Sequence, residues 1–298
     1  MNILLSNLHL GRFCGSELAT YTMAIELSKR RYNIDIFSLH YGCVSNMLSK
    51  IENINIVKND KFKNKYDLCL LNHKDCINYI NNFRIDGKIV QTMRGIFIRH
   101  EKPSEYSDYY VSTSEEIKKY AKEKHNINSD IIRTAIDCKR FNIKNKLDKL
   151  KKVLILSNYG NGIETCKKAC DYLNLEYIIC GSVSEPKRKW NVEDYINECE
   201  LVITIGRGVY ESMACGRNVV VFDKRTYSTG CDGFVTPDNI YELRKNNCSG
   251  RRYLYNYSYK DLANEIKKYD PDISYKLREY VLENNEVNLV INKYLEYL

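Results

Sequence analysis

With 298 residues, 44% of them hydrophobic and 28% charged, the chain has room for two domains and the composition of a folded globular protein rather than a disordered one. No apolar run reaches the roughly 20 residues that span a bilayer, and MNILLSNLHLGRF lacks the basic start and long apolar centre of a signal peptide, so a cytoplasmic protein is expected. The net charge of +8 is confined to one half: residues 1–146 hold 24 Lys and Arg against 16 Asp and Glu, and the remainder holds 22 against 22.

NILLSNLHL reads as a first strand and GRFCGS as a loop. ELATYTMAIELSKRR carries apolar residues at Leu18, Tyr21, Ala24, Ile25 and Leu27, a helical stripe that ends in basic residues suited to a helix C-terminus. YNIDIFSL follows as a strand. This βαβ unit places Gly15 and Ser16 at a helix N-terminus, where glycine allows close backbone approach and serine can cap the helix or donate to a phosphate. Every βαβ unit needs such a turn, so the loop by itself does not specify a nucleotide. INIVK, YDLCLLN and GKIVQTM continue as strands. YYVSTS leads into the helix EEIKKYAKEK, whose start is marked by Ser114 with Glu115 and Glu116 behind it. SDIIRTA is the last strand of this half, and the polar run 142–152 reads as a linker.

The second half repeats the rhythm with VLILSN, NGIETCKKACDYLN, LEYIICGS and VEDYINE as strand, helix, strand and helix. Leu201–Asp223 follows, LVITIGRGVYESMACGRNVVVFD. LVITI is rich in β-branched residues and stops at Gly206, VYESMAC favours a helix, and Gly216 is its stop signal. Two strands separated by so short a crossover are expected to be parallel neighbours. Gly206, Arg207 and Gly208 then lie at a strand's carboxyl end and a helix's amino end, a natural anion site, with Glu211 in the first helical turns to accept hydrogen bonds from sugar hydroxyls. SYKLREYVLENNEVNLVINKYLEYL closes the chain as an amphipathic helix.

The alternation predicts an α/β fold of two Rossmann-like, doubly wound parallel-sheet domains that share a ligand cleft. The expected boundaries are 1–146 and 147–273, with 274–298 as a C-terminal helix crossing back to the first domain. The 12 cysteines include no C-x-x-C pair. Cys166 and Cys170 have ligand-like helical spacing but no completing His or carboxylate, and they read as packing, so no metal site is expected.

GSELATYTMAIELSKRRYNIDIFS, YYVSTSEEIKKYAKEKHNI, IIRTAIDCKRF and GRGVYESMACGRNVVVFD together resemble the retaining glycosyltransferases of family 4, which have the GT-B architecture. The resemblance covers nearly the whole chain. It implies a metal-independent transfer of a hexose-type sugar from a nucleotide-diphosphate sugar to a glycan or lipid-linked acceptor, as in polysaccharide biosynthesis, with no separate cofactor. It implies that Glu211 binds the donor ribose and that Gly206, Arg207, Gly208 and Val209 flank the diphosphate and sugar. Gly15 and Ser16 would approach the diphosphate from the other domain, and Arg94 stands where many members carry a His near the reacting sugar. Glu211, Arg94 and Arg207 are therefore the candidate catalytic residues.

Three departures from the family's pattern stand out. Ile203 occupies the place of the first acid of Glu-x7-Glu, Thr134 and Ala135 replace Asn-Gly, and SNYGNGIETCKK has no clear diphosphate cation, leaving Lys167, Lys168 or Arg207 to substitute. His9, His100 and the basic run 187–189 with Trp190 are further candidates, each with a structural alternative. The basic first half suits an anionic membrane surface, a nucleic acid such as modified DNA, or a phosphorylated acceptor. The remaining alternatives are another GT-B enzyme, such as a sugar-nucleotide epimerase, and a catalytically inactive nucleotide-sugar-binding protein.

Overall fold

The computed structural model describes residues 1–58, 60–157, 160, 162–181, 190–225 and 228–298, with the backbone alone at 228 and 229. The chain divides into two compact units, Met1–Ala135 with Val287–Leu298, and Ile136–Glu286.

In the first unit the elements follow as β1 (Asn2–Ser6), β2 (His9–Leu10), α1 (Gly15–Lys29), β3 (Asn33–Phe37), β4 (His40–Tyr41), α2 (Cys43–Leu48), β5 (Ile54–Ile56), β6 (Lys65–Asn72), α3 (Lys74–Asn81), β7 (Asp86–Met93), β8 (Tyr109–Ser112), α4 (Glu115–His125) and β9 (Asp130–Ile131). Seven strands form a parallel sheet in the order β5-β3-β1-β6-β7-β8-β9, and β2 pairs with β4 in a separate short ladder. The period of two divides the side chains between the faces. Ile3, Leu5, Ile34, Ile36, Leu68 and Leu70 meet Met23, Ala24 and Leu27 of α1 and Val290, Ile291 and Tyr294 near the C-terminus. Leu4, Phe37, Cys69 and Leu71 meet Ile77 and Ile80 of α3 on the other face. Ser114 caps α4 as expected, accepting from the Ile117 N–H, and Asn126 ends it in the left-handed region at φ 55°. Strand order reverses between β1 and β6, so the crevice at their carboxyl ends is this unit's topological switch point.

In the second unit come β10 (Lys152–Leu156), α5 (Ile163–Tyr172), β11 (Glu176–Cys180), α6 (Val192–Asn197), β12 (Leu201–Thr204), α7 (Arg207–Ala214), β13 (Asn218–Arg225), β14 (Ser228–Phe234), α8 (Ile240–Leu243), α9 (Tyr259–Ile266) and α10 (Ser274–Asn284). The sheet order is β11-β10-β12-β13-β14, parallel except for β14. One face packs Leu154, Val202, Val219 and Val221 against Val209, Tyr210 and Met213 of α7. The other packs Val153, Ile155, Ile203 and Val220 against α5 and α9. The order reverses between β10 and β12, which puts the start of α7 beside this unit's switch point.

Three expectations change. The antiparallel β14 was not anticipated. Residues 136–146, expected to close the first domain, lie in the second unit, and the polar run read as a linker is bound there: Arg217, 1% exposed, donates to the Asn145 carbonyl and to Asn197 Oδ1, both at 2.8 Å. The expected helix 274–298 is two helices, α10 in the second unit and α11 (Val287–Leu295) in the first. The break follows Asn284, because the Asn285 carbonyl accepts from the Ile136 N–H at 2.8 Å instead of continuing the helical ladder.

Candidate functional site

Two groups of candidate side chains emerge, one in each unit. In the second unit β12 ends at Thr204, and Gly206 turns the chain into α7 with φ 59° and ψ −127°, a conformation open to glycine and not to side-chain-bearing residues. The Gly206 N–H is held by the Cys248 carbonyl at 2.8 Å, which fixes the turn. Within the first turn the Val209 N–H donates to the Gly206 carbonyl at 3.1 Å, and the dipole of α7 gathers positive potential at the switch point.

Gly208 answers a different need. A Cβ there would stand 2.4 Å from Thr204 Oγ1 and 3.3 Å from Leu156 Cδ2, so the glycine lets the first turn of α7 press onto the ends of β12 and β10. Val209 is fully buried in the core beneath the helix and offers a ligand only its backbone. Arg207 and Glu211 meet across one helical turn, with Nε donating to Oε1 at 2.6 Å and side-chain exposures of 8% and 5%. The two residues singled out for charge are thus each other's partner, held on one helix face. Ile203 lies on the opposite sheet face, packed with the α5 and α9 core, so an acid in that register would point away from α7.

The substitute cations fare differently. Lys167 pairs with Glu164 at 2.7 Å. Lys168 lines a groove of about 440 Å³ that also holds Lys224, Glu164 and Asp261. Trp190 carries the Arg140 guanidinium 3.9 Å over its ring, and Arg140 also reaches Glu193 at 2.8 Å. That gives Trp190 a packing role; the basic run 187–189 lies outside the described residues. Cys166 and Cys170 are buried in the α5 core, and burial pushes both thiols up, Cys170 to about 12, as befits packing residues.

In the first unit Cys14 occupies the N-cap of α1, so Ser16 sits within the first turn. Its hydroxyl donates to Glu17 Oε2 at 2.9 Å instead of capping the helix. Gly15 is exposed, and a Cβ there would meet nothing within 4 Å. A polar chain runs from this helix start to Arg94. Thr20 Oγ1 donates to the Ser16 carbonyl, Asn72 Nδ2 donates to Thr20 Oγ1 at 3.2 Å, and Arg94 Nε donates to Asn72 Oδ1 at 3.2 Å.

The Arg94 N–H donates to Glu101 Oε2 at 2.9 Å, and His73 Nε2 lies 3.6 Å from Glu101 Oε1. Burial alone would push the Glu101 carboxyl up, but His73 and the N–H and charge of Arg94 outweigh it and hold the carboxyl below its ordinary range. His73 takes φ 66° and ψ 121°, a strained backbone for a non-glycine residue at the switch point. His100 meets its ring edge-on at 4.7 Å, and His9 stacks on His40 at 4.5 Å. Burial first, and neighbouring histidines second, lower both His9 and His100.

Sequence reasoning passed over Glu17, Asn72, His73 and Glu101. An acid directly behind Gly-Ser and an Asn-His pair ending an apolar run were the available signals.

His73, His100 and Glu101 bring possible ligand atoms within 4.8 Å of one another, the one such group among the described residues. Their hydrogen bonds do not suit a cation. His73 Nδ1 accepts from the Leu8 N–H at 3.0 Å, so the ring proton sits on Nε2, the nitrogen that faces Glu101.

No family model matches the chain, and no curated protein matches it. Solved structures do. A glycosyltransferase from Rickettsia africae ESF-5 superposes with a TM-score of 0.66 at 14% identity, over 99% of this chain and 97% of that one. An alpha-glucosyltransferase in complex with UDP and a 13-mer DNA containing an HMU base gives 0.65 at 10%, over 99% and 98%. WaaG, a glycosyltransferase involved in lipopolysaccharide biosynthesis, gives 0.59 at 8%, over 98% of each. At these identities the likeness is one of fold: two Rossmann-like units in the GT-B class.

Proposed function

We propose that this chain, which shares the GT-B fold of glycosyltransferases, moves a hexose-type sugar from a nucleotide-diphosphate donor to a glycan or lipid-linked acceptor, with retention at the anomeric carbon. The observation that carries this reading is the start of α7, where the Gly206 turn, the positive end of the helix dipole and the Arg207–Glu211 pair meet at a switch point. A diphosphate is recognised by the positive helix end and the Arg207 guanidinium, and ribose hydroxyls donate to Glu211.

In the reaction the bond from the anomeric carbon to the diphosphate oxygen breaks while a bond to the acceptor oxygen forms on the same face. The acceptor proton passes to the departing diphosphate. Charge grows on that leaving group, and the helix start and Arg207 stabilise it, so the positive charge comes from the protein itself. In the first unit we assign acceptor contacts to Arg94, oriented by Asn72, and an anion-binding role to the exposed helix start at Gly15 and Ser16.

A panel of UDP-, GDP- and ADP-sugars in a thermal-shift assay tests the donor assignment. A ligand bound only by the native state at about a hundred times its Kd adds roughly 2.7 kcal/mol of stability. One nucleotide class is expected to raise the melting temperature, and no shift with any of them removes the donor site.

The charge of residues 1–146 favours one second reading, modified DNA as acceptor. Duplex affinity that falls steeply with salt, together with sugar transfer to a modified base, selects it over the glycan or lipid acceptor.

A further inference from the structure

In the second unit the stretch RRYLYNYSYK, residues 251–260, has Tyr at every second position from 253 to 259, three cations and no acid. At its middle it meets the sheet edge: Tyr255 exchanges both backbone hydrogen bonds with Cys231 of the outermost strand β14, at 2.9 and 3.0 Å, while residues 251–253 form a turn and Tyr259 and Lys260 begin α9. Tyr253 and Tyr255 stack at 5.6 Å between centroids, and Tyr255 and Tyr257 at 5.5 Å. Tyr257 anchors the row through its hydroxyl on Glu265, while Tyr253 and Tyr255 are 39% and 48% exposed.

Between those two rings Leu254 is 59% exposed, the highest value among the large hydrophobic residues described, and it stands in the left-handed region at φ 59°. Folding would normally place a leucine in neither situation. The nearby acids are engaged. Glu242 binds Arg252 and Lys245, and Asp261 closes the capping box of α9 with Ser258. Lys260 is exposed, and Lys224 bonds Asn256 within the stretch.

We propose that this edge is a docking surface for an anionic lipid bilayer. The exposed phenol rings of Tyr253 and Tyr255 suit the headgroup level, the exposed Leu254 suits the acyl boundary, and Lys260 suits lipid phosphates. Single-stranded nucleic acid fits less well, since it binds by stacking bases on free ring faces, and both faces of Tyr255 are taken by its neighbours. The surface does not depend on the sugar-transfer assignment, so the two stand or fall separately.

The test is co-sedimentation of the full chain with phosphatidylcholine vesicles, with and without phosphatidylserine, at low and physiological salt. Binding is expected only with phosphatidylserine, and weaker at the higher salt. Leu254→Asn suits the left-handed backbone and removes the apolar tip, so it should keep the melting temperature and weaken binding about fivefold or more. Lys260→Glu should weaken it by a similar factor, about fivefold. Wild-type binding by both folded variants, no binding to phosphatidylserine vesicles, or binding to a single-stranded oligonucleotide in place of vesicles would each overturn the proposal.

Discussion

Arg207 Nε and Glu211 Oε1 lie 2.6 Å apart on one face of α7, and neither side chain is more than a tenth exposed. Each therefore fixes the other's position, and removing one leaves its partner charged in a poorly solvated place. Arg207→Ala is expected to cost roughly 3–5 kcal/mol of stability, whereas Glu211→Gln, which still accepts from the guanidinium, costs about 1–2 kcal/mol. Truncating Glu211 to alanine leaves the Arg207 guanidinium unpaired in a poorly solvated place and is thus a poor probe of function. A double-mutant cycle by chemical denaturation checks this. Coupling above about 1 kcal/mol is expected, and simple additivity would show that the pair contributes nothing.

Gly208 gives a prediction of sign. An exposed helical glycine changed to alanine normally gains stability, up to about 1 kcal/mol. Here the new Cβ would stand 2.4 Å from Thr204 Oγ1. Gly208→Ala should instead lose about 1–3 kcal/mol, and Thr204→Ala in the same chain should recover much of that loss. Unfolding midpoints of the single and double variants decide it; a stabilised Gly208→Ala would mean that the helix start does not press on β12.

The histidine and carboxylate cluster of the first unit predicts an acid-sensitive fold. His9 and His100 have lowered values, so the unfolded chain takes up their protons first and stability falls as pH drops below the ordinary histidine range. The Glu101 carboxyl is held low, so its contribution is present above the ordinary glutamate range and is lost as pH falls through its folded value. The effects share a direction. Melting temperature should decline from about pH 6.5 downward. Asn at positions 9 and 100 should flatten the upper part of that decline, and Glu101→Gln the lower part. A melting temperature unchanged between neutral and mildly acidic pH in the wild-type chain would contradict the arrangement.

Where hydrophobic periodicity and glycine act locally, the sequence was easy to read. Gly206 and Gly216 bracket α7 as expected, with Gly216 at φ 66°, and the β12–β13 pair is parallel. The break after Asn284 was not legible because it depends on Ile136, a partner distant in sequence; β14 was missed although it pairs antiparallel with the strand directly before it, β13. The unit boundary was misplaced for a related reason. Polar composition suggested a linker, while the Asn145 carbonyl accepts from Arg217 and the Ile143 side chain packs against Gly216. At the candidate site, charge identified Arg207 and Glu211 but not that they pair. His73 was invisible because its strained φ follows from the Leu8 and Glu101 contacts rather than from its neighbours in sequence.

The central claim is that the start of α7 holds a nucleotide-diphosphate sugar and activates its glycosidic bond. The most direct measurement is release of nucleoside diphosphate from a panel of UDP-, GDP- and ADP-sugars by the wild-type chain and by Glu211→Gln. Release from one donor class by the wild type is predicted, with a loss of about tenfold or more in the variant, the effect of about 1.4 kcal/mol in the transition state. A folded wild-type chain that neither binds nor hydrolyses any donor, or a variant as active as the wild type, would contradict it.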